Sequence, residues 1–370
     1  MDDTSTVAVE VTLGVDLGDR VSYACALDQR TGHVLERFRV ASTREAFLGV
    51  FVPRCPTRLV VEAGTHSGWA SRLLRAAGYD VIVANPRRVR LIGSSRRKSD
   101  RMDAELLARL GRADPKLLFP IRHRDAQHHE HLAVLRSRRL LVEKRSALIC
   151  HVRGTLKAMG ERAPTTSTEA FPRRVREAVC EESVRMLEPI LRTLDGLTET
   201  IRSYDDTIER LGAETYPVTR RLQLIEGVGP LTALAFVLVV EDPFRFAHAR
   251  SVGAFVGLCP GLSQSGDINP QLPITKTGDQ MLRCLLVGAA QYILGPFATD
   301  STLRRYGQRL MVVGGRAAKK RAVVAVARKL AVLLLHLWRH PDETYDALYD
   351  APPLPALGPL DPNSTPEDPA

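Results

Sequence analysis

The chain lacks most of what would mark a secreted or membrane protein. Its six cysteines, Cys25, Cys55, Cys150, Cys180, Cys259 and Cys284, are scattered with no CxxC spacing, which argues against a disulfide framework and for reduced thiols. The opening MDDTSTVAVE is acidic and has neither the basic nor the apolar region of a signal peptide. The longest apolar run, AVVAVARKLAVLLLHLW, is broken by Arg328 and Lys329 and falls short of the roughly 20 clean residues that a membrane span needs. No tandem repeat is present. These absences lead to the expectation of a cytoplasmic, nucleoid-associated protein with no membrane partner.

What the chain does have is enough apolar sequence for a proper core, 44% of 370 residues, and a formal charge of +10. The length suits two or three domains. The excess of base favours a polyanionic partner, although charge alone does not separate DNA, RNA and an acidic membrane.

In the first 115 or so residues, VAVEVTLGVDLG, VSYACALD and HVLERFRVA read as a meander of three antiparallel strands. A helix around REAFLGVF, a buried strand TRLVVEAG, a helix SGWASRLLRAAG and a strand YDVIVANP follow. This order is that of an α/β ribonuclease-H-like domain, a core that actin-like kinases share, so it settles no function by itself. From residue 116 to 215 the pattern turns helical. Leu135, Val142, Ile149 and Leu156 recur at seven-residue spacing, and Ile190, Leu194, Leu197, Ile201, Tyr204, Ile208 and Leu211 repeat as the seam of a coiled coil. An antiparallel hairpin, a dimer arm or ordinary bundle packing would each satisfy that pattern. Residues 216 to 350 read as a mostly helical third region, and the Pro-rich residues 351 to 370 as a disordered tail.

Four acids stand out. Asp16 ends the first strand in LGVDLGD, where Gly14 and Gly18 leave room for a phosphate or metal to approach. Glu62 ends the strand LVVEAG, which in such a sheet runs beside the first. Asp100 and Asp103 begin the helix SDRMDAELLARL at a spacing that puts both on one face, with Glu105 pointing elsewhere. Together they offer four hard oxygen ligands suited to Mg²⁺ or Mn²⁺ in a phosphodiester-processing site. The plain alternative is that Asp100 caps the helix and Asp103 complements its dipole. Arg87, Arg88, Arg90, Arg96, Arg97, Lys98 and Arg101 crowd this region and would contact the phosphates of a nucleic acid, or form a solvated charged face.

Further basic candidates are Arg136, Arg138, Arg139, Lys144, Arg145 and Arg153 on the first long helix, then Lys276 and Arg283 in ITKTGDQMLRCLL, then Arg316, Lys319, Lys320 and Arg321 in RAAKKR. The glycine turn of GVGPLTALAFV could offer backbone N–H groups to a phosphate or simply join two helices. HRDAQHHEH gathers His123, His128, His129 and His131, but its spacing without cysteines is poor for zinc.

Taken in order, GVDLGD, VVEAG, the NP after the fifth strand, KSDRMDAELLARL, GVGPLTALAFV, FAHARSVGAFVGLCP, SQSG and ITKTGDQMLRCLL resemble a DEDD transposase of the insertion sequence one-ten family. The resemblance runs from about residue 11 to 340. It implies a RuvC-type domain carrying the acids, here Asp16, Glu62, Asp100 and Asp103, a coiled-coil segment that helps assembly, and a C-terminal transposase domain with a nucleophilic serine. It also implies a structured guide RNA, DNA element ends and target, a dimer or tetramer, and a phosphoserine intermediate. The family's serine falls on Ser265, before Gly266, with Ser263 as the alternative register. The following DINPQLP lacks the basic residues usual there and contains Asp267. Competing readings are a RuvC-like nuclease that uses water, a catalytically silent RNA-binding scaffold and, from GVDLGD alone, an actin-like sugar kinase.

Overall fold

The computed structural model describes residues 10–51, 58–87, 99–263, 270, 272–313 and 315–348. The tail at 351–370, expected to be disordered, lies outside them. The chain divides into two compact units with the boundary near residue 126.

The first unit is built on a five-stranded mixed sheet. Strands β1 (Val11–Asp16), β2 (Val21–Asp28) and β3 (Val34–Ala41) form the antiparallel meander, while β4 (Arg58–Glu62) and β5 (Asp80–Ala84) run parallel to β1. The order across the sheet is β3-β2-β1-β4-β5, so β4 lies beside β1 as the sequence suggests. Alternation along each strand sends residues to opposite faces. Leu13, Val15, Leu59 and Val61 are buried with Phe47 and Phe51 of α1 (Arg44–Phe51) and with Ala70 and Leu74 of α2 (Ser67–Ala76).

The opposite face is covered by α3 (Asp100–Ala113), whose Leu107 and Leu110 pack with Val60 and Ala84, and whose Ala104 and Ala108 pack with Cys25 and Leu27. The helix comes very close to the sheet. A Cβ on Gly14 would stand 2.0 Å from the Ala104 carbonyl oxygen and 2.4 Å from the Ala108 nitrogen, and one on Gly111 would stand 2.3 Å from Val60 Cγ2. Gly14 therefore makes room for a helix backbone, and the expectation that it leaves space for a phosphate or metal is corrected. Gly18 closes the β1–β2 turn, where a Cβ would meet the Val21 carbonyl oxygen at 2.1 Å.

The second unit opens with two long helices, α4 (Ala126–Ala158) and α6 (Glu181–Arg210), with the short α5 (Phe171–Ala178) between them in sequence. Arg138 pairs with Asp205 and Arg145 with Thr198, so the long helices run antiparallel as a hairpin within one chain. Ile149, Val152 and Leu156 pack with Leu187, Leu191 and Leu194, under Phe171 and Val175. The expected seam is met in part. Leu194, Ile201 and Ile208 are buried, whereas Ile190, Leu197, Tyr204 and Leu211 are half-buried and Leu191 and Thr198 are buried beside them. There Thr198 accepts from the buried Arg145 of α4.

Among the described residues this unit also contains α7 (Val218–Leu222), α8 (Pro230–Val240), α9 (Ser251–Phe255), α10 (Gln280–Ile293), α11 (Thr302–Val313) and α12 (Ala318–Arg339). Every residue of α8 from Thr232 to Val240 is buried, and α12 sets Ala322, Val326, Leu330 and Leu334 into the same core. The broken apolar run of the sequence is this α12. Among the described residues no helix is long and apolar enough to cross a membrane.

Gly14→Ala should lower the stability of the protein by about 1–3 kcal/mol or more, because the added methyl meets rigid helix backbone. Gly49→Ala, in α1 where a Cβ meets nothing within 4 Å, should leave the melting temperature unchanged or raise it slightly. Thermal unfolding of the two variants beside the parent checks both.

Candidate functional site

Asp16 and Glu62 are the last residues of β1 and β4. These strands pair in parallel with Val15 opposite Val61, so the two acids follow side by side at the same end of the sheet. Asp16 shares a face with Gly14, and Glu62 with Val60, which is the face that α3 covers. Helix α3 is capped by Ser99, whose side chain accepts from the Met102 N–H. Asp100 is thus the first helical residue and is not the cap. Asp103 immediately precedes Ala104, the residue whose carbonyl presses over Gly14.

The packing therefore brings the first turn of α3 to the strand end that carries Asp16. Asp16, Glu62 and Asp103 are half-buried there, and Asp100 is exposed. The positive end of the α3 dipole favours carboxylates in this turn. Among the described residues no three of these acids have carboxylate oxygens within 4.8 Å of one another, but an all-oxygen donor set at one sheet end fits a hard divalent ion. Glu105 faces away, as expected. It bonds Arg37 of β3 at 2.7 Å and Arg109 at 2.7 Å. Those hydrogen bonds, Arg37 first and then Arg109, hold its carboxyl below the usual glutamate range.

In the second unit, Ser265 lies outside the described residues, and Ser263 is exposed. Gly257 (φ 71°) and Gly278 (φ 73°) both adopt left-handed backbone. A Cβ on Gly257 would stand 2.3 Å from the Thr277 carbonyl oxygen, and one on Gly278 would stand 2.0 Å from that of Phe255. The Thr275 N–H donates to Cys259, and the Gly261 N–H to Pro273. Arg283 donates to the carbonyls of Val256 and Thr277 at 3.1 and 2.6 Å. Asp279 caps α10 by accepting from the Leu282 N–H and also takes Arg136 at 3.2 Å. The segments GLCP and ITKTGD, which flank the serines in sequence, thus form a clasp.

The basic candidates fare differently. Arg88, Arg90, Arg96, Arg97 and Lys98 lie outside the described residues. Arg87, Arg101, Lys144, Lys276, Lys319, Lys320 and Arg321 are exposed, and Lys319 and Lys320 border an open cleft of about 560 Å³ beside Pro296. Arg138 is held by Asp205, and the buried Arg145 by Thr198 and Glu169. Arg283 grips the clasp, so these three charges serve internal structure. Arg139 pairs with Glu143 on the surface, and Arg153 sits over the Phe171 ring. Gly227 turns tightly against the Ala289 carbonyl, which supports the helix-joining reading of GVGP. His123 bonds Ser67, and His131 bonds Tyr216. Sequence reasoning passed over Tyr23 and Arg39, which register places in line with Asp16, Tyr23 opposite Asp16 and Arg39 opposite Tyr23. The period-two alternation of β2 and β3 was the signal.

Two family models match the chain. One of the IS110 DEDD type, described as "Transposase", covers residues 13–160, and one described as "Transposase IS116/IS110/IS902 family" covers residues 219–308. The chain is similar to the "Transposase for insertion sequence element IS1111A" of Coxiella burnetii, 28% identical over 90% of each chain. It is 30% identical to the "Putative transposase y4pF/y4sB" of Sinorhizobium fredii over 78% of this chain and 74% of that one. The "Transposase for insertion sequence element IS1328" of Yersinia enterocolitica is 27% identical over 83% and 87%.

Because its folded-state pKa is lowered, Glu105 adds stability above the unfolded glutamate pKa of about 4.3 and loses it as pH falls through the lower folded value. Melting temperatures across pH should show Glu105→Gln below the parent at neutral pH, with the two curves converging in acid.

Proposed function

Given that the chain belongs to the IS116/IS110/IS902 family of transposases, enzymes that cut and rejoin DNA, we propose that it does so with a divalent cation held by Asp16, Glu62, Asp100 and Asp103 and with Ser265 as nucleophile. The observation that carries this reading is the meeting of β1, β4 and the first turn of α3, which gathers carboxylates at one sheet end inside the stretch matched by the DEDD model. Order and pairing of the strands support a ribonuclease-H-like, RuvC-type domain.

A bound Mg²⁺ or Mn²⁺ would supply Lewis-acid stabilisation of charge on the phosphodiester oxygens. The carboxylates fix that charge at one place, and the α3 dipole stabilises them in turn. The clasp at Gly257 and Gly278 fixes the segments that flank the serine in sequence. Serine Oγ attacks phosphorus, a sugar oxygen leaves as a hydroxyl, and the phosphoserine ester retains the bond energy for rejoining. The reading includes a structured guide RNA and a dimer or tetramer. A formal charge of +10 and exposed Arg87, Arg101, Lys144, Lys276, Lys319, Lys320 and Arg321 support a nucleic-acid partner.

The test incubates purified protein with paired element and target DNA, the noncoding RNA from the element flank, and Mg²⁺. A covalent protein–DNA adduct is expected for the parent and for Ser263→Ala, and none for Ser265→Ala. An adduct with Ser265→Ala would sink the nucleophile assignment, and free cleaved ends with no adduct would favour a nuclease that uses water. Asp16→Asn and Glu62→Gln should each lower the cleavage rate by about a hundred-fold or more.

A further inference from the structure

Beside the carboxylates lies a cleft of about 270 Å³ lined by Tyr23, Ala24, Arg37, Phe38, Arg39 and Arg101. It has the size of about one nucleotide unit and sits just below the usual range for a pocket that engulfs a free metabolite. Its walls come from three elements. Tyr23 belongs to β2, Arg37 and Arg39 to β3, and Arg101 to the first turn of α3.

The register sets the geometry. Arg39 pairs with Tyr23 and Tyr23 with Asp16, so the three point to one side of the sheet in a row that continues to Glu62. Strands are spaced by about 5 Å, which puts the Arg39 backbone about 10 Å from that of Asp16. An extended arginine can therefore reach the phosphate that neighbours one held at the acids. Arg37 is fixed by its bond to Glu105. Arg39 and Arg101 are exposed and have no ion-pair partner among the described residues. Tyr23 is half-buried against the Cys25, Ala104 and Ala108 cluster, which holds its ring in place.

Charge on β3 has an ordinary explanation, because β3 is a sheet edge and edge strands carry arginine or lysine to block further pairing. That accounts for Arg37 and Arg39 on the strand. It does not account for Arg101 arriving from a helix, or for an aromatic ring between the arginines and the acids. Cationic groups around an aromatic platform are what a single nucleic-acid strand recognises.

We propose that this cleft binds the DNA strand whose phosphodiester is presented to the carboxylates, with Arg39 and Arg101 taking the adjoining phosphate and Tyr23 stacking on the nucleoside beside it. This rests on the metal reading of the acids.

The experiment measures binding of a fluorescein-labelled single-stranded DNA oligonucleotide to the full chain by anisotropy across a salt series. An RNA of the same sequence is titrated in parallel. Arg39→Gln and Arg101→Gln should each weaken DNA binding about five-fold and reduce the slope of log affinity against log salt by about one. Tyr23→Leu should weaken it by about five-fold or more, whereas Tyr23→Phe, which keeps the ring, should bind like the parent. Unchanged affinity and slope in both arginine variants would overturn the proposal, as would a loss confined to RNA. Mn²⁺ binding read by electron paramagnetic resonance distinguishes the two layers. It should persist in the cleft variants and vanish in Asp16→Asn, and its absence from the parent would remove the metal reading whatever the oligonucleotide does.

Discussion

The contact on which the first unit depends is backbone against backbone: α3 lying directly on β1 with only the hydrogen of Gly14 between them. Hydrophobic burial alone would not specify it, since Leu107 and Leu110 could pack on Val60 and Ala84 at many helix positions. The close approach at Gly14 and the second at Gly111 lock both the height and the axial position of the helix. Because Asp103 and Ala104 are neighbours, that lock also sets where the carboxylates of the first turn arrive. A packing constraint becomes a constraint on chemistry.

Much of this was legible from the sequence. The strand order followed from runs such as RLVVE and DVIVA and the helices between them, because period and turn residues are local signals. Asp16 and Glu62 could be placed at neighbouring strand ends for the same reason. What the sequence hid was long-range. Gly14 looked like a ligand cradle because a glycine before an acid reads the same whether a phosphate or a helix backbone comes close. Ser99, not Asp100, caps α3, a one-residue distinction that composition does not make.

The helical unit shows the same division. The apolar repeat of α6 pointed to a buried stripe, and there is one. Its exact face was decided by the partner helix, which brings the buried Arg145 to Thr198 and so favours a polar residue inside. Clusters of arginine were the least readable feature. Arg138, Arg145 and Arg283 look like nucleic-acid contacts in a linear string, yet each is bound within the fold, while Arg39 attracted no notice in the sequence and lies on the row of the acids.

The clasp at Gly257 and Gly278 has a consequence for tolerance to change at its own positions. Each glycine is left-handed and pressed on the backbone of the opposite segment, so a side chain at either place meets a conformational penalty and a backbone clash together. The two positions are coupled, because enlarging one forces apart the segments that the other holds together.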